Sequence, residues 1–139
     1  MPQMVGHRGL SCPPKGVGRA DQMVLGVVDD DVDVRTAIGR LLRLLGHDVR
    51  LFASAEDFEA DPILDCLILD IRLPGLSGFE LYERLRLSGC LLPIVFITGD
   101  PVWRDDVQLP DVPRLAKPFD DDRLIAAISE AVSASRGTH

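Results

Sequence analysis

The sequence from Met23 onward predicts an α/β fold, a doubly wound, five-stranded parallel sheet with helices on both faces. Short continuous apolar runs recur along the chain, and each has the pattern of a strand that is covered on both sides. Between them lie segments whose apolar residues are three and four positions apart, as in amphipathic helices. Because the two patterns alternate strictly, we expect successive βαβ units around one parallel sheet.

The first two strands and the helices that follow them have clear signals. "VLGVV" (Val24–Val28) is a continuous apolar strand, and Gly46 is the expected end of the helix after it. "DVRLF" (Asp48–Phe52) is the second strand, and Ser54 is a good N-cap for a brief helix over residues 54–59. The predicted buried stripe of the first helix comprises Val34, Ala37, Ile38, Leu41, Leu42 and Leu45.

The middle of the chain continues this alternation. "CLILD" (Cys66–Asp70) is the third predicted strand, and the loop "IRLPGLSG" connects it to a helix. "PIVFIT" (residues 93–98) is the fourth strand. The helix between these two strands carries Phe79, Leu81, Tyr82 and Leu85.

The last third of the chain predicts one irregular helix and one regular helix. Pro101, Pro110 and Pro113 restrict the fourth helix to little more than residues 102–109, so it is expected to be short or irregular. "PRLAK" (residues 113–117) is a weaker fifth strand, and Asp120 is the N-cap candidate of the final helix. The residues of that helix expected to face inward are Leu124, Ile125, Ile128, Ala131 and Val132.

Length and composition predict one soluble domain. We expect a flexible N-terminal extension over residues 1–22, the domain over residues 23–135 and a tail over residues 136–139. The chain has a net charge of -7, and residues 23–139, with 12 basic and 21 acidic residues, carry -9, which disfavours direct nucleic-acid binding. Three cysteines without metal-type spacing, no membrane segment and no signal peptide indicate a cytoplasmic protein.

Several reactive side chains follow the ends of the predicted strands. Asp29 and Asp30 end the first strand, Asp70 ends the third, Thr98 the fourth and Lys117 the fifth. Because the carboxyl ends of parallel strands meet at one edge of a sheet, these side chains are expected to converge there. Clustered carboxylates repel one another unless a cation neutralises them, and Mg²⁺ is the cation that best suits such a group. A place at a helix N-terminus, where carboxylates cap N–H groups and favour the dipole, is the alternative role, and it is the one expected of Asp31 and Asp33.

Four segments in this order resemble the receiver domain of two-component response regulators. "VVDDD", "LILDIRLPGLSG", "FITGD" and "LAKPF" are similar to its acidic pair, its phosphoacceptor loop, its threonine strand end and its Lys-Pro motif. The resemblance extends from Met23 to about Ser135 and implies a flavodoxin-like strand arrangement. Nothing but "SASRGTH" follows the last predicted helix, which suggests a stand-alone receiver of the single-domain type.

The resemblance implies a role for each residue at this edge. Asp70 would accept a phosphoryl group from the phosphohistidine of a histidine kinase, and Lys117 and the Thr98 hydroxyl would each contact a phosphoryl oxygen. The protein would then catalyse only its own phosphorylation and dephosphorylation. The metal site it implies consists of Asp70, Asp30 as a direct ligand, Asp29 acting largely through water and the backbone carbonyl of Arg72.

The sequence also departs from the family pattern. The family usually has Tyr or Phe three residues before the lysine, where this chain has Arg114, so the usual inward movement of a ring is in doubt. Two positions that tune phosphoryl lifetime in the family are Arg72 and Asp100 here, and their opposite charges suggest a pair across the mouth of the site.

The resemblance implies several partners and leaves alternatives open. A histidine kinase or a histidine phosphotransfer protein would be the donor, with a downstream protein partner or a phosphorelay as the output, and a monomer or weak dimer as the working form. One alternative is a receiver-like interaction module that is regulated without phosphate. Another is an aspartyl-phosphate hydrolase of the haloacid dehalogenase type, for which Asp29 and Asp31 have the spacing but the expected following hydroxyl and a cap domain are missing.

Overall fold

A computed structural model describes residues 22–58, 63–99 and 112–137 of the chain. The strands are β1 (Val24–Val28), β2 (Asp48–Phe52), β3 (Cys66–Asp70), β4 (Ile94–Thr98) and β5 (Arg114–Ala116). The helices of these ranges are α1 (Val32–Leu44), α2 (Gly78–Leu87) and α3 (Asp121–Gly137). No helix within these ranges is both long and apolar enough to cross a bilayer.

The strands form one parallel sheet in the order β2-β1-β3-β4-β5. In the register of the central pair, Val28 of β1 lies opposite Leu69 of β3. The residue after β1, Asp29, and the last residue of β3, Asp70, therefore lie at the same edge of the sheet. This confirms the predicted five-stranded, doubly wound α/β class.

Two apolar layers cover the faces of the sheet, and alternate strand residues point to each. On one face, Leu25 and Val27 of β1 pack with residues of α1 and α3 such as Leu42 and Leu124. On the other face, β3 and β4 pack with α2; the members include Leu67, Leu69, Phe96, Leu81 and Leu85. Burial on both sides explains why the strands are continuous apolar runs, as the sequence predicted.

Short polar side chains cap the N-termini of α1 and α2, which begin near the edge of the sheet where the strands end. The Asp31 carboxylate accepts hydrogen bonds from the backbone N–H groups of Asp33 (2.9 Å) and Val34 (3.4 Å) at the start of α1. Ser77 and Glu80 form a reciprocal capping box at the start of α2. The N-capping role expected of Asp31 is therefore confirmed.

Some local predictions were wrong. The predicted brief helix over residues 54–59 is a turn over its described part, in which the Ser54 hydroxyl accepts from the N–H of Asp57 at 3.0 Å. A serine side chain satisfies such a turn without a following helix. Ile125 and Leu45 are 36% and 48% exposed instead of buried, and Ala37 is exposed as well. Leu45 lies beyond the end of α1, and Ala37 and Ile125 lie at the margins of the apolar stripes of their helices. The expected short fourth helix and Asp100 lie outside the described residues, as do residues 1–21 and 138–139 of the predicted terminal segments.

Candidate functional site

Asp29 lies directly after β1 and is completely buried. Its backbone N–H donates to the carbonyl oxygen of Phe52 in β2 at 3.2 Å, which fixes its backbone beside the neighbouring strand. Its Oδ1 accepts from the N–H of Asp31 at 2.9 Å, and its carbonyl oxygen accepts from Nη1 of Arg35 at 2.7 Å. Its second carboxylate oxygen, Oδ2, therefore remains directed at the centre of the site.

Asp70 ends β3, and the residue is only 3% exposed. Oδ1 accepts a hydrogen bond from the N–H of Arg72 at 3.1 Å, and Oδ2 accepts one from Nζ of Lys117 at 3.0 Å. The N–H of Gly78, at the start of α2, donates to the carbonyl oxygen of Ile71 at 3.0 Å. The loop after Asp70 thus folds back so that α2 begins against the backbone at the end of β3.

Lys117 bridges the two buried carboxylates from the end of β5. Its Nζ lies 2.9 Å from Oδ2 of Asp29 as well as 3.0 Å from Oδ2 of Asp70. The contact with Asp29 is an ion pair between the ammonium group and a carboxylate that is completely buried. The backbone N–H of Lys117 donates to the carbonyl oxygen of Thr98 at 2.7 Å, which ties the lysine to the end of β4.

Burial and charge act against each other in this cluster. Burial raises the pKa of Asp70 to about 6; the hydrogen bond from Lys117 opposes this rise, and the negative charge of Asp29 adds to it. Burial alone would lower the pKa of Lys117, but its contacts with the Asp29 and Asp70 carboxylates outweigh burial and raise that pKa above its ordinary value. The lysine is therefore a permanent cation near neutral pH.

The acidic residues fit a hard divalent cation. Asp29, Asp30 and Asp70 each offer a carboxylate oxygen, and the three oxygens lie within 4.8 Å of one another. Asp30 is exposed while the other two are buried, so the cluster opens to solvent on one side. The single positive charge of Lys117, which contacts Asp29 and Asp70, cannot balance the charges of three carboxylates. Such a set of oxygen ligands with room for water suits Mg²⁺.

The remaining predicted residues lie around this cluster. Thr98 ends β4, opposite Ala116 of β5, and is completely buried. Arg72 is two residues beyond Asp70, with its N–H held by that carboxylate and its side chain exposed. Arg114 is exposed in β5 and lies opposite Phe96 of β4. The structure thus brings together the predicted carboxylates, hydroxyl and ammonium, whereas the predicted contact between Arg72 and Asp100 lies outside the described residues.

Two residues with contacts to this region were missed by the sequence reasoning. Arg35 donates to the backbone carbonyl of Asp29. The sequence signal that could have identified it is a basic residue in the first turns of α1, directly after an acidic run. Glu56 accepts a hydrogen bond from the N–H of Leu76, which is 20 residues away, at 2.9 Å. No local pattern signals this contact, because it joins two connections of the fold.

The model of the response regulator receiver domain matches residues 25–129 of this sequence. The chain belongs to this family. Its receiver domain is similar to transcriptional regulatory protein FixJ of Bradyrhizobium diazoefficiens (39% identity, 76% of this chain, 55% of that protein). It is also similar to nodulation protein W of the same species (35% identity, 81% of this chain, 52% of that protein). The chain spans about half the length of these curated relatives.

Solved structures show the same similarity. The response regulator StyR shares 35% identity and superposes with a TM-score of 0.71 over 81% of this chain and 60% of that chain. The response regulator TrrA of Thermotoga maritima, solved in complex with Mg²⁺ and BeF, shares 25% identity with a TM-score of 0.69 over 78% of this chain and 98% of that chain. The receiver fold of this chain is therefore that of a two-component signalling protein.

Proposed function

We propose that this receiver domain accepts a phosphoryl group on Asp70 from the phosphohistidine of a histidine kinase or a histidine phosphotransfer protein, in the presence of Mg²⁺. The observation that supports it most directly is the buried Asp70 carboxylate, which Lys117 contacts at 3.0 Å beside Asp29 and Asp30. This arrangement combines a nucleophile, a cation for phosphoryl oxygens and ligands for a metal ion. The domain is taken to extend over residues 23–135.

In the proposed transfer, a carboxylate oxygen of Asp70 attacks the phosphorus atom as the phosphorus–nitrogen bond of the donor breaks. The imidazole keeps the bonding electron pair and is protonated from solvent. Asp30, Asp70 and the carbonyl of Arg72 would hold Mg²⁺, with Asp29 acting largely through water, and the bound ion would supply charge neutralisation at the phosphoryl oxygens. Lys117 moves its charge from the free carboxylates to one phosphoryl oxygen, and the Thr98 hydroxyl hydrogen-bonds another.

The output is proposed to be a protein–protein interaction or a phosphorelay in the cytoplasm, with a monomer or weak dimer as the working form. The acidic surface supports a protein partner over nucleic acid, because a phosphate backbone would be repelled by it. The only reaction that the domain would catalyse is its own phosphorylation and dephosphorylation.

Intact-mass and phosphopeptide measurements after incubation with acetyl phosphate and Mg²⁺ test the proposal. We expect a single labile adduct of one phosphoryl group in the wild type and none in Asp70→Asn. Asp33→Asn is the matched control, because it removes an exposed carboxylate from the first turn of α1 and should keep the adduct. An adduct that survives in Asp70→Asn and is lost in Asp29→Asn would instead identify the hydrolase-type nucleophile.

A receiver-like interaction module that is regulated without phosphate is the second candidate. The exposed Arg114 in β5 favours it, because a guanidinium cannot take the buried position of an aromatic ring without a charge partner. Mg²⁺ binding without any phosphoryl adduct in the wild type would support this candidate over the first.

A further inference from the structure

The loop between Asp70 and α2 is held at both of its ends by local contacts. At its start, the N–H of Arg72 donates to the Asp70 carboxylate at 3.1 Å. At its end, Ser77 and Glu80 cap α2. Between these points, Leu73 is buried in the core and Leu76 packs against it, whereas Pro74 and Gly75 are exposed.

Glu56 contacts this loop from a different connection of the fold. Its Oε2 accepts a hydrogen bond from the N–H of Leu76 at 2.9 Å. This bond lowers the pKa of Glu56, so the carboxylate is ionised near neutral pH and the hydrogen bond is charge-assisted. Glu56 follows β2, whereas Leu76 follows β3. The bond therefore connects the loop after β3 to the turn after β2.

The backbone of the loop lies close to this carboxylate. Gly75 has a φ of +75°, a conformation that favours glycine. A Cβ atom at this position would also overlap Oε2 of Glu56. The carboxylate therefore lies directly against the Cα of Gly75, and two adjacent residues of the loop accommodate Glu56.

We propose that Glu56 is a positioning residue for the phosphoacceptor loop: by holding Gly75 and Leu76, it restricts movement of the loop backbone that carries the carbonyl of Arg72, the proposed metal ligand. This inference rests on the proposed function, in which that carbonyl is a metal ligand. Residues that orient metal ligands without touching the metal affect the affinity for the metal. If a ligand becomes ordered only when the metal binds, the cost of ordering it weakens that affinity.

The test compares Glu56→Ala, Glu56→Gln and Asp57→Ala with the wild type. Asp57 is the matched control, because it is the adjacent exposed carboxylate in the same turn. Two properties are measured by NMR: the exchange rate of the Leu76 amide proton without Mg²⁺, and the Kd for Mg²⁺. Phosphorylation by acetyl phosphate is measured separately by intact mass.

For Glu56→Ala we expect faster exchange of the Leu76 amide and an increase of about tenfold in the Kd for Mg²⁺, the lower end of the usual effect of such residues. Glu56→Gln keeps an acceptor without the charge and should lie between Glu56→Ala and the wild type. Asp57→Ala should match the wild type in both measurements.

Two results would overturn the inference while leaving the proposed function intact. One is an unchanged Leu76 exchange rate in Glu56→Ala; the other is faster exchange with an unchanged Kd for Mg²⁺, which would make the bond purely structural. A wild type that binds no Mg²⁺ and forms no adduct would instead refute the proposed function, and the inference with it.

Discussion

Lys117 is the residue on which the charge balance of the site depends. It contacts two carboxylates, Asp29 and Asp70, whose residues are 0% and 3% exposed. Removing one partner of a buried ion pair is costly because the other charge stays buried without compensation. Since the lysine side chain is itself 21% exposed, we expect Lys117→Met to lower the free energy of unfolding by about 2 kcal/mol at pH 8.

Urea unfolding of the metal-free protein measures this cost. Lys117→Arg is the control, because it keeps the positive charge and should retain most of the stability, although a planar guanidinium does not reproduce a point charge between two carboxylates. Equal stabilities for Lys117→Met and the wild type at pH 8 would show that the ion pairs contribute nothing measurable.

Asp70 makes the stability of the metal-free protein depend on pH. Its pKa is about 6 in the fold and 3.8 in the reference state, so the folded protein holds its proton more tightly than the unfolded chain. The stability from this group is complete below about pH 4 and is lost as the pH rises through about 6. Two units of pKa correspond to about 3 kcal/mol, which is an upper limit here.

Asp70→Asn mimics the protonated side chain and therefore tests this dependence. In EDTA, the variant should have a higher Tm than the wild type above pH 6. The Tm values of the two proteins should become equal near pH 4. Thermal unfolding between pH 4 and pH 8 measures the difference, with Asp33→Asn as an exposed control. A constant difference at every pH would mean that the ionisation of Asp70 is not its cause.

The individual site residues were predictable because each occupies a strand end. In a parallel sheet, the end of every strand lies at one edge, so Asp29, Asp70 and Lys117 are brought together by topology alone. Their roles in phosphoryl transfer remain predictions. Glu56 was not predictable, since its contact with Leu76 depends on how two connections lie against each other.

At the scale of secondary structure, the close approach of α2 to β3 constrains the geometry of the loop between Asp70 and α2. A Cβ atom at Gly78 would overlap the backbone carbonyl oxygen of Asp70, which cannot move without displacing the end of the strand. We expect Gly78→Ala to cost about 2 kcal/mol of stability or more, as for other overpacked sites. Ser77→Ala, which removes only the cap of the same helix, should cost about 1 kcal/mol.

Chemical denaturation of both variants separates these two effects. If Gly78→Ala costs less than Ser77→Ala, the helix start adjusts readily and the close approach does not constrain the loop. The Leu76 amide should also shift in the NMR spectrum of Gly78→Ala, because the loop that ends at Gly78 has to move.

Continuous apolar runs predicted the strands well, and short polar signals predicted the helices less well. The runs in β1, β3 and β4 are buried on both faces of the sheet. A continuous apolar run of about five residues is typical of such a strand. Ser54 was a wrong helix signal, because a serine that accepts from an N–H three residues on serves a turn equally well. The margins of helices were also unpredictable, as Ile125 shows, because exposure there depends on neighbouring elements.

At the scale of the whole molecule, the question is whether Mg²⁺ acts at one site or only screens a net charge of -7. Binding to the folded state alone stabilises it by mass action, by about 1.4 kcal/mol at a concentration ten times the Kd. Screening depends only on ionic strength, so NaCl at the same ionic strength should reproduce it. We expect MgCl₂ to raise the Tm of the wild type above its value in matched NaCl.

Two variants of equal charge change complete this test. Asp30→Asn removes the exposed carboxylate of the acidic cluster, and Glu83→Gln removes an exposed carboxylate on α2. The extra stabilisation by MgCl₂ should be reduced in Asp30→Asn and fully retained in Glu83→Gln, because only the first variant alters the ligand set. If the two variants respond to MgCl₂ and NaCl alike, the ion acts through the general field of the acidic surface and Asp30 is not a ligand.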